Sequence, residues 1–247
     1  MVVPAEEGRL IPRVLVATAV PAEQDAVARS FTADEPRGTR LAGGVALRRS
    51  AGFDLLVVGV GPGSAGARTG AALTAAALAG EPYGLVVSAG IGGGFPPHAP
   101  VGSLVVADAI SAADLGAETA DGFVPVTELG FGTVTHRPPE TLVRELTAVS
   151  GALSGTVLTV STVTGTAERA ALLRARHPHA LAEAMEGFGV AEAAAAAGLP
   201  VLEIRAVSNP VGPRDRAAWR IADALAALTE GFGKFAPVLG SWNPYDL

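Results

Sequence analysis

The sequence predicts an α/β protein whose sheet is covered by helices on both faces, and three observations carry that expectation. Two apolar runs, Arg13–Ala17 and Asp54–Val60, are continuous rather than alternating, as in strands buried on both sides. Each leads through a short turn into a helical pattern: Pro21 suits the first turn of Ala22–Ser30, and Gly61–Gly66 opens an Ala-rich helix to about Ala79. The 247 residues, 49% hydrophobic with mean hydropathy +0.39, suffice for one large domain over 1–247, with irregular tails at 1–12 and 237–247.

The remaining elements follow in order. Thr39–Ser50 reads as a hairpin, and Leu85–Ser88 as a strand that ends in the glycine run Ala89–Gly94. So many glycines carry a large entropic cost, and a loop whose main-chain amides line a site is one reason to accept it. Val101–Ala109 is a further strand, and 114–132 lacks periodicity and reads as an irregular excursion. Thr141–Val149 is a short amphipathic helix, Gly155–Val163 a β-branched strand, and Ala167–Ala175 helical. The stretch from Ala184 to Trp219 then organises the chain: Glu186 stands at a helix start, and strand Val201–Val207 ends at Ser208-Asn209. In open α/β sheets ligands sit outside the carboxyl ends of strands, so Ser208-Asn209 marks a small-molecule site. By the same rule Glu23, after the first strand, is either a helix-dipole partner or a carboxylate facing that ligand. Asp223–Thr229 closes the fold as a helix.

Composition excludes several functions. A net charge of −6 without a Lys/Arg run argues against nucleic acid as partner. Without cysteine there is no disulfide framework or thiolate chemistry, and four histidines leave little for a transition metal, so no metal or cofactor is expected. His177-Pro178-His179 reads as a solvated helix end. Met1–Pro12 lacks the apolar core of a secretory signal, and no apolar run approaches the ~20 residues of a membrane helix, so a cytoplasmic protein without a membrane partner is expected. Gly61, Gly63 and Gly66 match the dinucleotide pattern G-x-G-x-x-G, but the acid due ~20 residues on is missing and Glu81 precedes the next strand.

The residues also carry a resemblance. Thr18–Glu23, Val58-Gly59-Val60-Gly61, Ser88-Ala89-Gly90-Ile91-Gly92-Gly93, Met185-Glu186-Gly187 and Ile204-Arg205-Ala206-Val207-Ser208 together resemble the purine nucleoside phosphorylase and nucleosidase superfamily. The likeness covers nearly the whole chain in order and is greatest to the methylthioadenosine nucleosidase branch. Ser208–Asp215 with Trp219 is similar to that branch's hypoxanthine-releasing enzymes of menaquinone biosynthesis. The resemblance implies a three-layer α/β/α sandwich around a mixed, twisted sheet, and a homodimer or larger assembly. It implies a nucleoside substrate, with Glu23 activating water, Met185 under the ribose and Glu186 accepting from its hydroxyls. Ala89, Gly90, Val163, Thr164 and Ser208 would line the substrate. An aryl carboxylate beyond C5′ would need an apolar slot with a cation, for which Arg214, Arg137 and His98 are candidates.

One departure is informative. Adenosine-type nucleosidases carry Asp after the Ser of the late strand, and this chain has Asn209. An amide can donate to O6 of a 6-oxopurine and accept from a ring N–H, whereas adenine would set NH2 against NH2 or oxygen against N7. Hypoxanthine is therefore the expected base. Neither Thr18–Glu23 nor Ser88–Gly94 contains a cation for a phosphate dianion, and Glu23 would repel one, so water is the expected nucleophile. A methylthioadenosine-type nucleosidase and a phosphorylase remain alternatives within the superfamily. A nicotinamide-dependent oxidoreductase and a non-catalytic nucleoside-binding protein remain alternatives outside it.

Overall fold

The computed structural model describes residues 13–31, 34–50 and 52–243, so the N-terminal tail at 1–12 lies outside the described residues. The described elements, in order, are β1 (Arg13–Thr18), α1 (Pro21–Ala28), β2 (Arg37–Arg40), β3 (Ala46–Ser50), β4 (Phe53–Val57), α2 (Pro62–Leu78) and β5 (Tyr83–Gly94). They continue with β6 (Leu104–Ala112), β7 (Gly116–Thr119), β8 (Gly122–Pro125), β9 (Thr135–His136), α3 (Glu140–Ser150), β10 (Leu153–Thr159) and α4 (Ala167–Arg176). The last are β11 (Ala180–Ala184), α5 (Gly187–Ala196), β12 (Val201–Pro210) and α6 (Ile221–Ser241).

The main sheet runs β11-β10-β6-β12-β5-β1-β4-β3-β2. It is mixed: β1 pairs in parallel with β4 and β5, while β12 lies parallel to β5 and antiparallel to β6. β11 also pairs antiparallel with the far end of β5, which curls that half of the sheet closed. The expected three layers are present. On one face Ala65, Ala72 and Ala76 of α2 and Val190, Ala191 and Ala194 of α5 pack on the sheet. On the other, Val27 of α1, Leu142 and Leu146 of α3, and Leu228, Phe232 and Phe235 of α6 do so. Small side chains let α2 and α5 approach each other closely: a Cβ on Gly66 would fall 3.1 Å from the Gly189 carbonyl oxygen. That contact accounts for one glycine of the dinucleotide-like pattern without a dinucleotide.

Three expectations are corrected, and one strand was not foreseen. The glycine run Ala89–Gly94 is the second half of β5 and not a loop. A Cβ on Gly94 would stand 2.1 Å from the Ala99 carbonyl oxygen, so close approach of backbone explains a glycine there. Within 114–132, β7 and β8 form a two-stranded ribbon. The C-terminal tail is helical through Pro237 to Ser241, because Phe235 and Leu239 bury the apolar side of α6; 244–247 lie outside the described residues. Ala180–Ala184, whose Ala-Leu-Ala-Glu-Ala carries helical propensity, is a strand because β10 and β5 pair with it on either side. The Thr39–Ser50 hairpin is found as the antiparallel pair β2–β3. Among the described residues no helix is long and apolar enough to cross a membrane.

Candidate active site

A cavity of about 600 Å³ opens at the carboxyl ends of β1, β5 and β12, within the size range of small-molecule sites. Of the residues singled out in the sequence, Glu23, Val163, Thr164, Met185, Glu186, Ser208 and Asn209 all line it. They come from four separate segments, which the fold brings to one place.

Glu23 enters from the first turn of α1. Its Oε2 accepts from the backbone N–H of Ala19 (2.9 Å) and Val20 (3.3 Å), and Oε1 accepts from that of Ile91 (2.8 Å). These bonds fix the carboxylate at the mouth of β1. Burial pushes its pKa above the ordinary carboxylate range, against the opposing pull of Arg205. Gly90 does not line the cavity and lies beneath this meeting point: a Cβ there would stand 2.5 Å from Glu23 Oε1 and 2.7 Å from Arg205 Nη1. Ala89 is buried and does not reach the cavity either.

Arg205 is what sequence reasoning missed. It lies in the interior of β12 and is 1% exposed, with Nε donating to Glu203 (2.8 Å) and Nη2 to the Ser88 hydroxyl (3.0 Å). Its Nη1 is 3.4 Å from Glu186 Oε2. The available signal was the alternation Glu203, Arg205 in an otherwise apolar strand, which put two charges on one face. Burial raises Glu203 to about 7 even with Arg205 beside it. Three carboxylates, Glu23, Glu186 and Glu203, thus surround one guanidinium.

Glu186 is the residue before α5; its carboxylate makes no capping bond to that helix, and its Oε1 accepts from the Gly61 N–H (3.3 Å). Met185 lies beside it on the cavity wall. Asn209, also on the lining, is oriented by neighbours. Its Oδ1 accepts from the Ser208 hydroxyl (2.8 Å), and Nδ2 donates to the Pro210 carbonyl (3.0 Å). The oxygen that was expected to accept from a ring N–H therefore already holds one donor. Thr164 is likewise engaged: its N–H donates to Glu183 Oε1 (2.8 Å) and its hydroxyl to Glu183 Oε2. Glu183 itself lines the cavity and was not foreseen.

The cation for a 5′ carboxylate also differs. Arg214 is exposed and does not line the cavity; its guanidinium carbon lies 5.7 Å from the Trp219 ring centroid. Neither Arg137 nor His98 lines the cavity, whereas Arg216 does, beside Trp219 and Ile221. A short helical turn at Arg216–Ala218, capped by Asp215, directs the chain this way.

Fold and cavity define the class: the model of the phosphorylase superfamily matches residues 13–237. The chain belongs to the futalosine hydrolase family within it. Futalosine hydrolase of Streptomyces coelicolor is 72% identical over 94% of this chain and 99% of that protein. That of Acidothermus cellulolyticus is 47% identical over 88% of each. Among solved structures, native futalosine hydrolase of Helicobacter pylori superposes with a TM-score of 0.75 at 16% identity, covering 92% of this chain and 98% of the other. A methylthioadenosine/S-adenosylhomocysteine nucleosidase of Colwellia psychrerythraea in complex with adenine gives 0.73 at 21% identity, covering 93% of each.

Proposed function

We propose that this chain hydrolyses the N-glycosidic bond of futalosine, releasing hypoxanthine and leaving the sugar portion as dehypoxanthine futalosine. The observation that carries the mechanism is Glu23, a carboxylate held by three backbone N–H groups at the edge of the cavity, with Glu186 and Arg205 beside it. The C1′–N9 bond stretches, its electron pair moves onto the base, and positive charge grows on the ribose ring. Glu186 accepts from the ribose hydroxyls and faces that charge, while Met185 packs under the sugar. Glu23 removes a proton from the water that attacks C1′; a raised pKa brings such a base nearer to working pH. The departing hypoxanthine takes up one proton in exchange, and the free Nδ2 hydrogen of Asn209 stabilises the negative charge on it. Losing an acid at that position forfeits up to roughly 10²–10⁴ in rate, which this charge stabilisation offsets.

Arg205 does not turn the site into a phosphate site. One guanidinium already faces three carboxylates, so a phosphate dianion would meet net negative charge. Arg216, with Trp219 and Ile221, supplies the slot for the aryl carboxylate beyond C5′. Copies of the chain assemble into a homodimer or larger, which sedimentation would test. The deciding experiment incubates the protein with futalosine, its 6-amino analogue, inosine and methylthioadenosine, with and without phosphate, and follows free base by chromatography. Hypoxanthine from futalosine at a rate independent of phosphate is the expected result. Phosphate-dependent formation of a ribose 1-phosphate would overturn it.

A further inference from the structure

We infer that Glu183 reads the base, accepting the N1–H of a 6-oxopurine while Asn209 donates to its O6 and N7 edge. The inference deepens the reading above and rests on hypoxanthine being the base.

Register places the two side chains. In the antiparallel pair β11–β5, Glu183 lies opposite Gly93, and in the parallel pair β12–β5, Asn209 lies opposite the same Gly93. Directly paired residues project from one face of a sheet, so a carboxylate and an amide stand on either side of a residue with no side chain. Two strand spacings separate their main chains by about 10 Å. Both side chains line the cavity, and a Cβ on Gly93 would stand 3.4 Å from Asn209 Nδ2, so the missing side chain keeps the space beside the amide open.

The donor and acceptor inventory matches one base. Thr164 occupies one site on each Glu183 oxygen, through its N–H on Oε1 and its hydroxyl on Oε2. Each oxygen keeps a further acceptor site, and an ionised carboxylate has no hydrogen to donate. The Thr164 clamp also fixes the plane of the carboxylate before any ligand arrives. Asn209, with Oδ1 on the Ser208 hydroxyl and one Nδ2 hydrogen on the Pro210 carbonyl, has its second Nδ2 hydrogen left. Acceptor beside donor complements the N1–H and O6 of hypoxanthine. Adenine would oppose both, its bare N1 against a carboxylate and its amino group against an amide N–H. Buried hydrogen-bonding groups left without their partners give discrimination of ~10⁴ or more. Glu183 is 4% exposed, and burial raises its pKa against the two Thr164 hydrogen bonds. The N1–H therefore supplies a donor to an acceptor that burial has cut off from solvent.

The test compares kcat/KM for futalosine and its 6-amino analogue in the wild type and in Glu183→Gln. A glutamine can turn an N–H toward N1 of the amino purine. The ratio of the two values, in favour of futalosine, is expected to fall at least 10-fold in the variant. Equal losses on both substrates would mean that Glu183 only braces Thr164, and would overturn the inference. A wild type indifferent to the two substrates would instead sink the 6-oxopurine reading itself. A second measurement needs no variant: titration of the wild-type protein with hypoxanthine and with 1-methylhypoxanthine, which lacks the N1–H. A loss of about 100-fold in affinity on methylation is expected, and equal affinities would overturn the assignment.

Discussion

Two buried carboxylates, Asp54 on β4 and Glu23 in the first turn of α1, are treated in opposite ways. Asp54 is fully buried on β4, and every nearby donor converges on it. Arg13 and Arg49 Nε (3.1 Å) donate to Oδ1, and Arg49 Nη2 (3.0 Å) and the Tyr83 hydroxyl (2.7 Å) donate to Oδ2. Burial works against its charge, but Arg49, Arg13 and Tyr83 hold the pKa below the ordinary range. Glu23 has backbone N–H partners and shares the Arg205 guanidinium with Glu186 and Glu203, so burial wins and its pKa rises. A carboxylate closed off by two guanidiniums can only hold structure together. One whose charge is left partly unmatched beside a cavity remains able to take a proton.

Removing Glu23, the proposed base, gives the largest expected effect. Glu23→Gln keeps the side-chain volume and is expected to lower kcat for futalosine hydrolysis by roughly 10²–10⁴, read in a hypoxanthine-release assay. Its midpoint of thermal unfolding should stay the same or rise, since a partly unmatched charge is lost. A variant that hydrolyses at the wild-type rate would remove Glu23 from the mechanism. The opposite result is expected at Asp54. Asp54→Ala leaves two guanidiniums that are each partly exposed, so solvent screens part of the loss, and about 3 kcal/mol of stability should go. In a chain of this length that lowers Tm by on the order of 10 °C. Activity per folded molecule at low temperature should be nearly unchanged. Should Asp54→Ala abolish turnover without lowering Tm, the division between the two clusters fails.

How much of this contrast the sequence could show depends on where each residue lies along its element. Glu23, Glu186 and Asn209 are legible because each stands at an element boundary, where strand ends meet helix starts and α/β folds bind ligands. Arg205 is not, because it lies inside a strand, and only the tertiary fold shows that its interior position faces the cluster rather than solvent. Glu183 is hidden for a different reason. Its strand, β11, is built from residues of helical propensity and exists through pairing with β10 and β5, so neither the element nor its facing could be read. The layers and the helices were visible because buried strands and amphipathic helices leave a local pattern. The second half of β5 was not, since glycines chosen for close backbone approach look like glycines of a loop.

Acidification separates the two carboxylates in one experiment. Glu23 must be ionised to accept a proton, and its pKa is raised, so kcat/KM is expected to decline as pH falls while still above the ordinary carboxylate value of about 4.3. Asp54 has the reverse sign. Its folded-state pKa lies below the unfolded value of about 3.9, so its stabilisation is fully present above that value and fades only as pH drops through the lower, folded one. There should therefore be a pH window in which the protein is folded by circular dichroism and inactive, with activity restored on neutralisation. Coincident loss of structure and activity would show that the acid limb reports unfolding and not Glu23.

The smallest expected effect concerns two arginines of one turn. Arg214 and Arg216 are two residues apart and both exposed, yet only Arg216 lines the cavity. A cation at the mouth is screened by water and contributes roughly 0.2–1 kcal/mol to holding a carboxylate, which corresponds to a change of about 1.4- to 5-fold in binding. Arg216→Ala is therefore expected to raise KM for futalosine by a few-fold with kcat unchanged, the pattern of lost uniform binding. Inosine, which has no carboxylate beyond C5′, should show no change in KM. Arg214→Ala should leave both constants for futalosine near wild type, because its guanidinium lies against Trp219 and outside the cavity lining. If Arg214→Ala raises KM and Arg216→Ala does not, the turn carries the substrate's far end on its other side, and the slot assigned to Trp219 and Ile221 would have to be redrawn.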